Sequence, residues 1–258
     1  MTISSVRSTT VALAAVPLLL AGCGSADGAT GSTGDRSSQA DATQVHDGSV
    51  EYLTETQRAR SEMAGGTRLS TRLVDYLPNV HLESSPSRSV LDTVVVGEVV
   101  DAEEGTAFKV PEGDVPAGAP NDGQTEVAFG SDEADWQTVH AMVKVSRDLG
   151  PTGMDGKTVE VGFVVSPAVD SAEFMEGLRE LGPAVFFADS SNPVFAYDEN
   201  VKGVDGQGSM VATIADDGTL TLPFLPRSIE TELLADSPTL EQLTAASQTP
   251  SRTLSPPG

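Results

Sequence analysis

The chain of 258 residues carries 15 Lys plus Arg against 38 Asp plus Glu, a formal charge of −23, which disfavours any partner that is itself a polyanion. An apolar share of 38%, with 25 Gly and 16 Pro, is thin for one core spread over the whole length and fits a single domain with additional chain on either side. The lone Cys excludes an internal disulfide and a thiolate-rich metal site.

Residues 1–22 read as a secretory signal, with one positive charge at Arg7 and an apolar run over 11–20 that contains Pro17. The run is too short for a spanning helix, which needs about 20 residues. It ends in Leu20-Ala21-Gly22-Cys23, which resembles a bacterial lipobox. The resemblance implies cleavage between Gly22 and Cys23 and a diacylglyceryl group on the Cys23 sulfur. That would anchor the protein to the cell membrane on its extracytoplasmic face. Buried acyl chain is worth about 0.8 kcal/mol per methylene, and two chains make a stable anchor. Losing Arg7 leaves 14 bases against 38 acids, a body that an anionic lipid surface repels. Residues 24–49 are rich in Gly, Ser, Thr, Ala and Asp and read as a flexible tether with a reach of roughly 28 Å.

Residues 50–89 read as a linker with one short helix, suggested by Val50, Leu53 and Gln57 and broken by Gly65-Gly66 and Pro78. Its five arginines (58, 60, 68, 72 and 88) balance five acids. That balance reads as solvation or fold-back onto the acidic domain, in preference to contact with anionic lipid or cell-wall polymer.

Strands begin near Val90. Residues 90–100 are a β-branched run interrupted by Gly97, a common mark of a bulge. Residues 101–105 read as a turn and 106–110 as a short hairpin partner. Residues 111–135 hold seven acids and no base and read as a loop-like insertion. Residues 136–149 alternate, with Val139, Ala141, Val143 and Val145 on one face and Thr138, His140, Met142, Lys144 and Ser146 on the other. The pattern repeats over 157–166 with Val159, Val161, Phe163 and Val165, after a hairpin signal at Asp155-Gly156.

The period then changes. Phe174, Leu178 and Leu181 stand at helical spacing, with Asp170 as N-cap, Glu173 at the third position and Gly182-Pro183 closing the helix. Residues 184–189 and 194–198 read as short strands, and 209–215 with 219–224 as a last hairpin around Asp216-Asp217-Gly218. Ser237-Pro238 opens a small helix to about Ala246. The polar, Pro-containing tail from Gln248 reads as disordered.

Three strands, one helix and at least two further strands give a mainly β (α+β) fold class. The specific expectation is a small OB-like β-barrel over 90–228 with the helix between strands three and four, followed by a short helix and disordered tail over 229–258. The order is similar to that of secreted netrin-like and metalloprotease-inhibitor-like modules. Val94-Val95-Val96-Gly97-Glu98-Val99, Thr138-Val139-His140, Gly156-Lys157-Thr158-Val159-Glu160-Val161 and Gly206-Gln207-Gly208 resemble stretches of lipoproteins from high-GC Gram-positive bacteria. That resemblance covers about 90–224 and lends no activity. The inhibitor-like modules reach a metal through a free N-terminal Cys, whereas Cys23 here is assigned to lipid.

Chemical motifs are few. Residues 150–158 lack the first Gly of a phosphate loop, because position 151 is Pro, and an alternating strand follows where a phosphate site needs a helix. Asp198-Glu199-Asn200 with Gly203 is similar to the start of a calcium loop, but position 209 is Ser where an acid belongs. His46, His81 and His140 have no second His or Cys at ligand spacing, and Gly206-Gln207-Gly208-Ser209 is not a nucleophile elbow. His140 is the one candidate base, with a cross-strand structural role preferred. Trp136 reads as a core residue at the barrel end. Residues 98–135 carry eleven acids and one base, which excludes nucleic acid as a partner despite the fold class.

The reading is therefore a membrane-anchored extracytoplasmic binding or scaffolding module with no catalytic residue, metal ligand or cofactor assigned. Its expected partners are the membrane, through Cys23, and a protein or cationic ligand at the acidic insertion. The alternatives are a calcium-binding surface protein and a hydrolase with a site near His140.

Overall fold

The computed structural model describes residues 48–64, 70–110, 124–236 and 239–255. The signal, Gly22, Cys23 and nearly all of the tether lie outside these residues, as does 111–123 of the acidic insertion. Among the described residues the protein is mostly β, with a large mixed sheet.

The first element departs from the expected linker. Helix α1 (Ser49–Ala64) runs for 16 residues, built from strong helix formers such as Glu, Gln, Arg and Ala. Its Leu53 and Gln57, one helical face, are fully buried. A 3-10 turn (Leu73–Tyr76) and strands β1 (Val80–Leu82) and β2 (Ser85–Ser89) follow. Leu73, Val74, Tyr76, Leu77 and Val80 all join the main core. The described residues of 50–89 are thus part of the domain. Its balanced charges dominate the composition, while the few apolar residues that matter sit at the spacing that buries them.

Strand β3 (Thr93–Lys109) is continuous over 17 residues, where the sequence predicts a turn at 101–105. Asp101, Ala102, Glu103 and Glu104 pair with Met142, Ala141, His140 and Val139, and bulges fall between Val99 and Asp101 and between Glu104 and Ala107. Turn-prone residues are accommodated because each bulge twists the strand without ending its ladder. The bulge expected at Gly97 is present. Strand β4 (Thr125–Val127), inside the acidic insertion, pairs with the end of β3.

Strands β5 (Trp136–Asp148) and β6 (Thr158–Val165) form the expected hairpin. Val139, Ala141, Val143 and Val145 of β5 and Val159, Val161, Phe163 and Val165 of β6 face the core. Each such side chain is worth about 1.5–3 kcal/mol when fully buried. Helix α2 (Ser171–Glu180) is capped by Asp170, whose side chain accepts from the amides of Ala172 and Glu173. Phe174 meets Phe163 edge-on at 6.3 Å. The Asp170 amide donates to the Tyr52 hydroxyl at 2.7 Å, tying α1 to the start of α2.

Strand β7 (Ala184–Asp189) pairs antiparallel with β3. The strand expected at 194–198 is instead a 3-10 turn (Pro193–Phe195), and strand β8 (Lys202–Val204) comes next. β8 pairs parallel with β6 and antiparallel with β7. One turn of helix, α3 (Asp205–Gly208), leads to β9 (Val211–Ile214) and β10 (Leu220–Thr221). The order of the eight-stranded sheet is β10-β9-β7-β8-β6-β5-β3-β4, with the additional pairing β7–β3.

Helices α4 (Arg227–Leu234) and α5 (Leu240–Ser247) bury Leu233 and Leu243 in the core. The tail expected to be disordered ends instead in strand β11 (Arg252–Leu254), parallel to β1. Arg252 pairs with the buried Asp75 at 2.8 Å and donates to the Val74 carbonyl at 2.6 Å. Truncating Arg252 would take the ionic partner from the buried Asp75, so the contact holds the tail in place.

Candidate functional site

Alternation sends Thr138 and His140 to the face of β5 opposite the valine stripe. The ladder then assembles a transverse row: Glu103 of β3 opposes His140 of β5, His140 opposes Gly162 of β6, and Gly162 opposes Gly203 of β8. Glu160, two residues before Gly162, shares that face.

The segment after β7 covers the glycine half of the row. Phe195 lies flat against both glycines: a Cβ on Gly162 would fall 2.1 Å from the Phe195 Cε1, and one on Gly203 2.5 Å from its Cδ2. Only bare backbone admits the ring here. Phe195, Val164 and Val201 form a second apolar cluster, with Trp136 and Val194 partly buried against it. Trp136, expected as a core residue at the barrel end, packs against this second cluster rather than the main core and stacks on Phe108 with ring centroids 4.5 Å apart. Tyr197 sits 5.2 Å from Phe108 and remains 37% exposed.

His140 is only 6% exposed. Its Nδ1 lies 2.8 Å from Glu160 Oε1 and its Nε2 lies 3.1 Å from the Tyr197 hydroxyl. That hydroxyl is also 2.8 Å from Thr138 Oγ1. Thr138 donates to the Thr106 carbonyl at 3.1 Å and accepts from the Thr106 amide at 2.9 Å. Gly105 keeps this corner open, since a Cβ there would stand 2.3 Å from Thr138 Oγ1 and 2.5 Å from His140 Nε2.

Proton counting constrains the network. With protons on both ring nitrogens, Nδ1 donates to Glu160 and Nε2 to Tyr197, Tyr197 donates to Thr138, and Thr138 donates to Thr106. Every contact then has one donor. With a neutral ring protonated at Nδ1, Nε2 must accept from Tyr197, and Thr138 must choose between Tyr197 and Thr106. One contact is then lost. Burial raises the Tyr197 phenol above its ordinary 10.0, against hydrogen bonds from Thr138 and Thr106 that pull it down. Glu103, exposed on β3, completes a group in which one ligand atom each from Glu103, His140 and Glu160 lies within 4.8 Å of the others.

The other sequence candidates do not join this site. The 150–158 segment is a hairpin, the Lys157 amide donating to the Met154 carbonyl at 2.9 Å ahead of β6. The Asp198 carboxylate accepts from the amide and side chain of Asn200, spending its oxygen within the turn. His81 lies in β1, on the smaller sheet, and His46 lies outside the described residues.

Sequence reasoning places Thr138 and His140 together on the correct face and misses Glu103, Glu160 and Tyr197 as their companions. The signal for Glu160 was available, because the turn at Asp155-Gly156 fixes the β5–β6 register. Glu103 needed β3 to continue through its bulges, and Tyr197 comes from an irregular segment with no periodicity. No family model, curated protein or solved structure matches the chain.

Proposed function

We propose that the protein is a lipid-anchored extracytoplasmic binding module. Cys23 carries the anchor, and the outer face of β5 and β6 takes the ligand. The observation that carries this reading is the His140 ring, buried outside the core and contacted at both nitrogens, on a face rimmed by Phe108, Trp136, Phe195 and Tyr197. A buried polar group costs stability unless it is satisfied, and this one fills no gap in the valine-lined interior. Small-molecule and partner sites combine such an apolar rim with a few convergent polar groups.

The proposed architecture is a small OB-like barrel. It is supported by the cycle of pairings β3–β5, β5–β6, β6–β8, β8–β7 and β7–β3, with α2 between β6 and β7. Ligands of such barrels lie across the second and third strands and the loops beside them, which here are β5 and β6. Eleven acids against one base over 98–135 argue against a nucleic-acid strand.

Glu160, His140 and a hydroxyl form the order of a carboxylate–imidazole–hydroxyl relay, so a hydrolytic reading has a specific observation behind it. Binding is the better fit. Thr138 is fully enclosed with its hydroxyl engaged by Thr106, and burial disfavours ionisation of Tyr197.

The test is a photoactivatable residue at position 197 on intact cells, compared with one at Glu241 on α5. A discrete adduct from 197 alone supports the reading; no adduct from 197, or equal adducts from both, overturns it. Separately, Cys23→Ala should release the protein to the medium, and unchanged membrane fractionation would contradict the anchor.

A further inference from the structure

We propose that Glu103, His140 and Glu160 bind one divalent transition ion of the zinc class. This deepens the binding reading above and rests on it. Three observations carry it together. The ligand atoms of the three residues lie within 4.8 Å of one another. The ladder pairing Glu103↔His140 and the β5–β6 hairpin, rather than mobile loops, set that spacing. The far ring nitrogen, Nε2, already has a hydrogen-bond partner in Tyr197 at 3.1 Å.

A ligating imidazole donates its free N–H to a second group, which fixes its tautomer and orientation. Here, with a metal on Nδ1, Nε2–H donates to Tyr197, Tyr197 donates to Thr138, and Thr138 donates to Thr106. Every contact beyond the ring is then satisfied with the ring neutral. The metal takes the position of the Nδ1 proton, which leaves to solvent; the hydrogen bond from Nδ1 to Glu160 is replaced by bonds from the metal to both atoms, and the ion gives up water ligands for the three side chains. Glu160 and Glu103 each bring a carboxylate oxygen within 4.8 Å of the other, a like-charge arrangement that a cation relieves. Metal–nitrogen and metal–oxygen distances of about 2.0–2.2 Å put tetrahedral ligand atoms about 3.3–3.5 Å apart. The 2.8 Å pair of His140 and Glu160 must therefore open by roughly half an ångström. Glu103 is exposed and Glu160 half-buried, so both can adjust. Imidazole favours zinc-class ions over calcium, which takes six or more oxygens. Three protein ligands leave a fourth position for water or a ligand group.

The experiment uses the full chain in detergent, stripped with chelator, then titrated with Zn2+ and separately with Co2+ and Ca2+. Expected are one Zn2+ per chain, an intense visible Co2+ spectrum of tetrahedral type and no matching Ca2+ binding. Affinity should fall at least tenfold in Glu103→Gln and about 10- to 100-fold in Tyr197→Phe, which removes only the group behind the ring. His140→Gln should abolish the Co2+ spectrum. If that variant fails to fold, Glu103→Gln and Tyr197→Phe decide. Absence of stoichiometric Zn2+ binding, or binding unchanged in Glu103→Gln and Tyr197→Phe, overturns the proposal. Metal binding is measured on the unaltered chain and the adduct on the position-197 variant, so an unaltered chain that takes up no Zn2+ while the adduct still forms rejects the metal alone.

Discussion

The two faces of β5 differ in what holds them. The inner face is Val139, Ala141, Val143 and Val145, all in the main core, and any apolar residue of similar volume would serve there. The outer face is Thr138 and His140, held by named partners at fixed distances, and no generic substitute satisfies the same contacts. Apolar burial is tolerant and adds up over many residues, whereas the polar network depends on each member. Fold stability therefore resides on one face and the proposed binding specificity on the other.

The largest effect that would sharpen this contrast is on the inner side. Phe163→Ala should cost about 3–5 kcal/mol, read from chemical denaturation, and should leave crosslinking from position 197 intact under conditions where the variant is folded. Next is the slot on the outer side. Gly162→Ala should cost about 1–3 kcal/mol by overpacking against Phe195. Its cost should shrink in a Phe195→Ala background, since contacting residues couple. An equal cost in both backgrounds would mean that the ring does not set the limit.

The smallest effect is at the phenol. Tyr197→Phe should cost about 0.5–1.5 kcal/mol for the lost hydrogen bonds. The folded protein holds the Tyr197 proton more tightly than the unfolded chain, whose phenol keeps its ordinary value of 10.0. Its contribution is thus fully present below about pH 10 and is lost as pH rises through the higher folded value. Wild-type stability should fall more steeply above that pH than stability of the variant, with Tyr52, also raised by burial, contributing equally to both. Parallel curves would contradict the burial of this hydroxyl.

Legibility in the sequence followed the same division. Strands β5, β6 and β7 and helix α2 were readable because strict alternation, a helical spacing and an Asp170 cap are local signals. Strand β3 was read as two pieces, since Asp101, Glu103, Glu104 and Gly105 carry turn composition and only cross-strand partners extend the ladder through them. The ordered tail depends on Arg252 meeting Asp75, 177 positions away by their numbers, which no local pattern encodes. At the site, His140 was visible by its face and Glu160 by register, while Tyr197 reaches the ring only because Gly162 and Gly203 seat Phe195.

The central claim is that the outer face grips the His140 ring from both nitrogens. Nitrogen-15 NMR of the three histidine rings in metal-free protein tests it most directly. The expected result is slow exchange at the His140 ring, with the Nε2 signal altered by Tyr197→Phe and the Nδ1 signal by Glu160→Gln. A His140 ring that exchanges as fast as free imidazole and ignores both substitutions would contradict it.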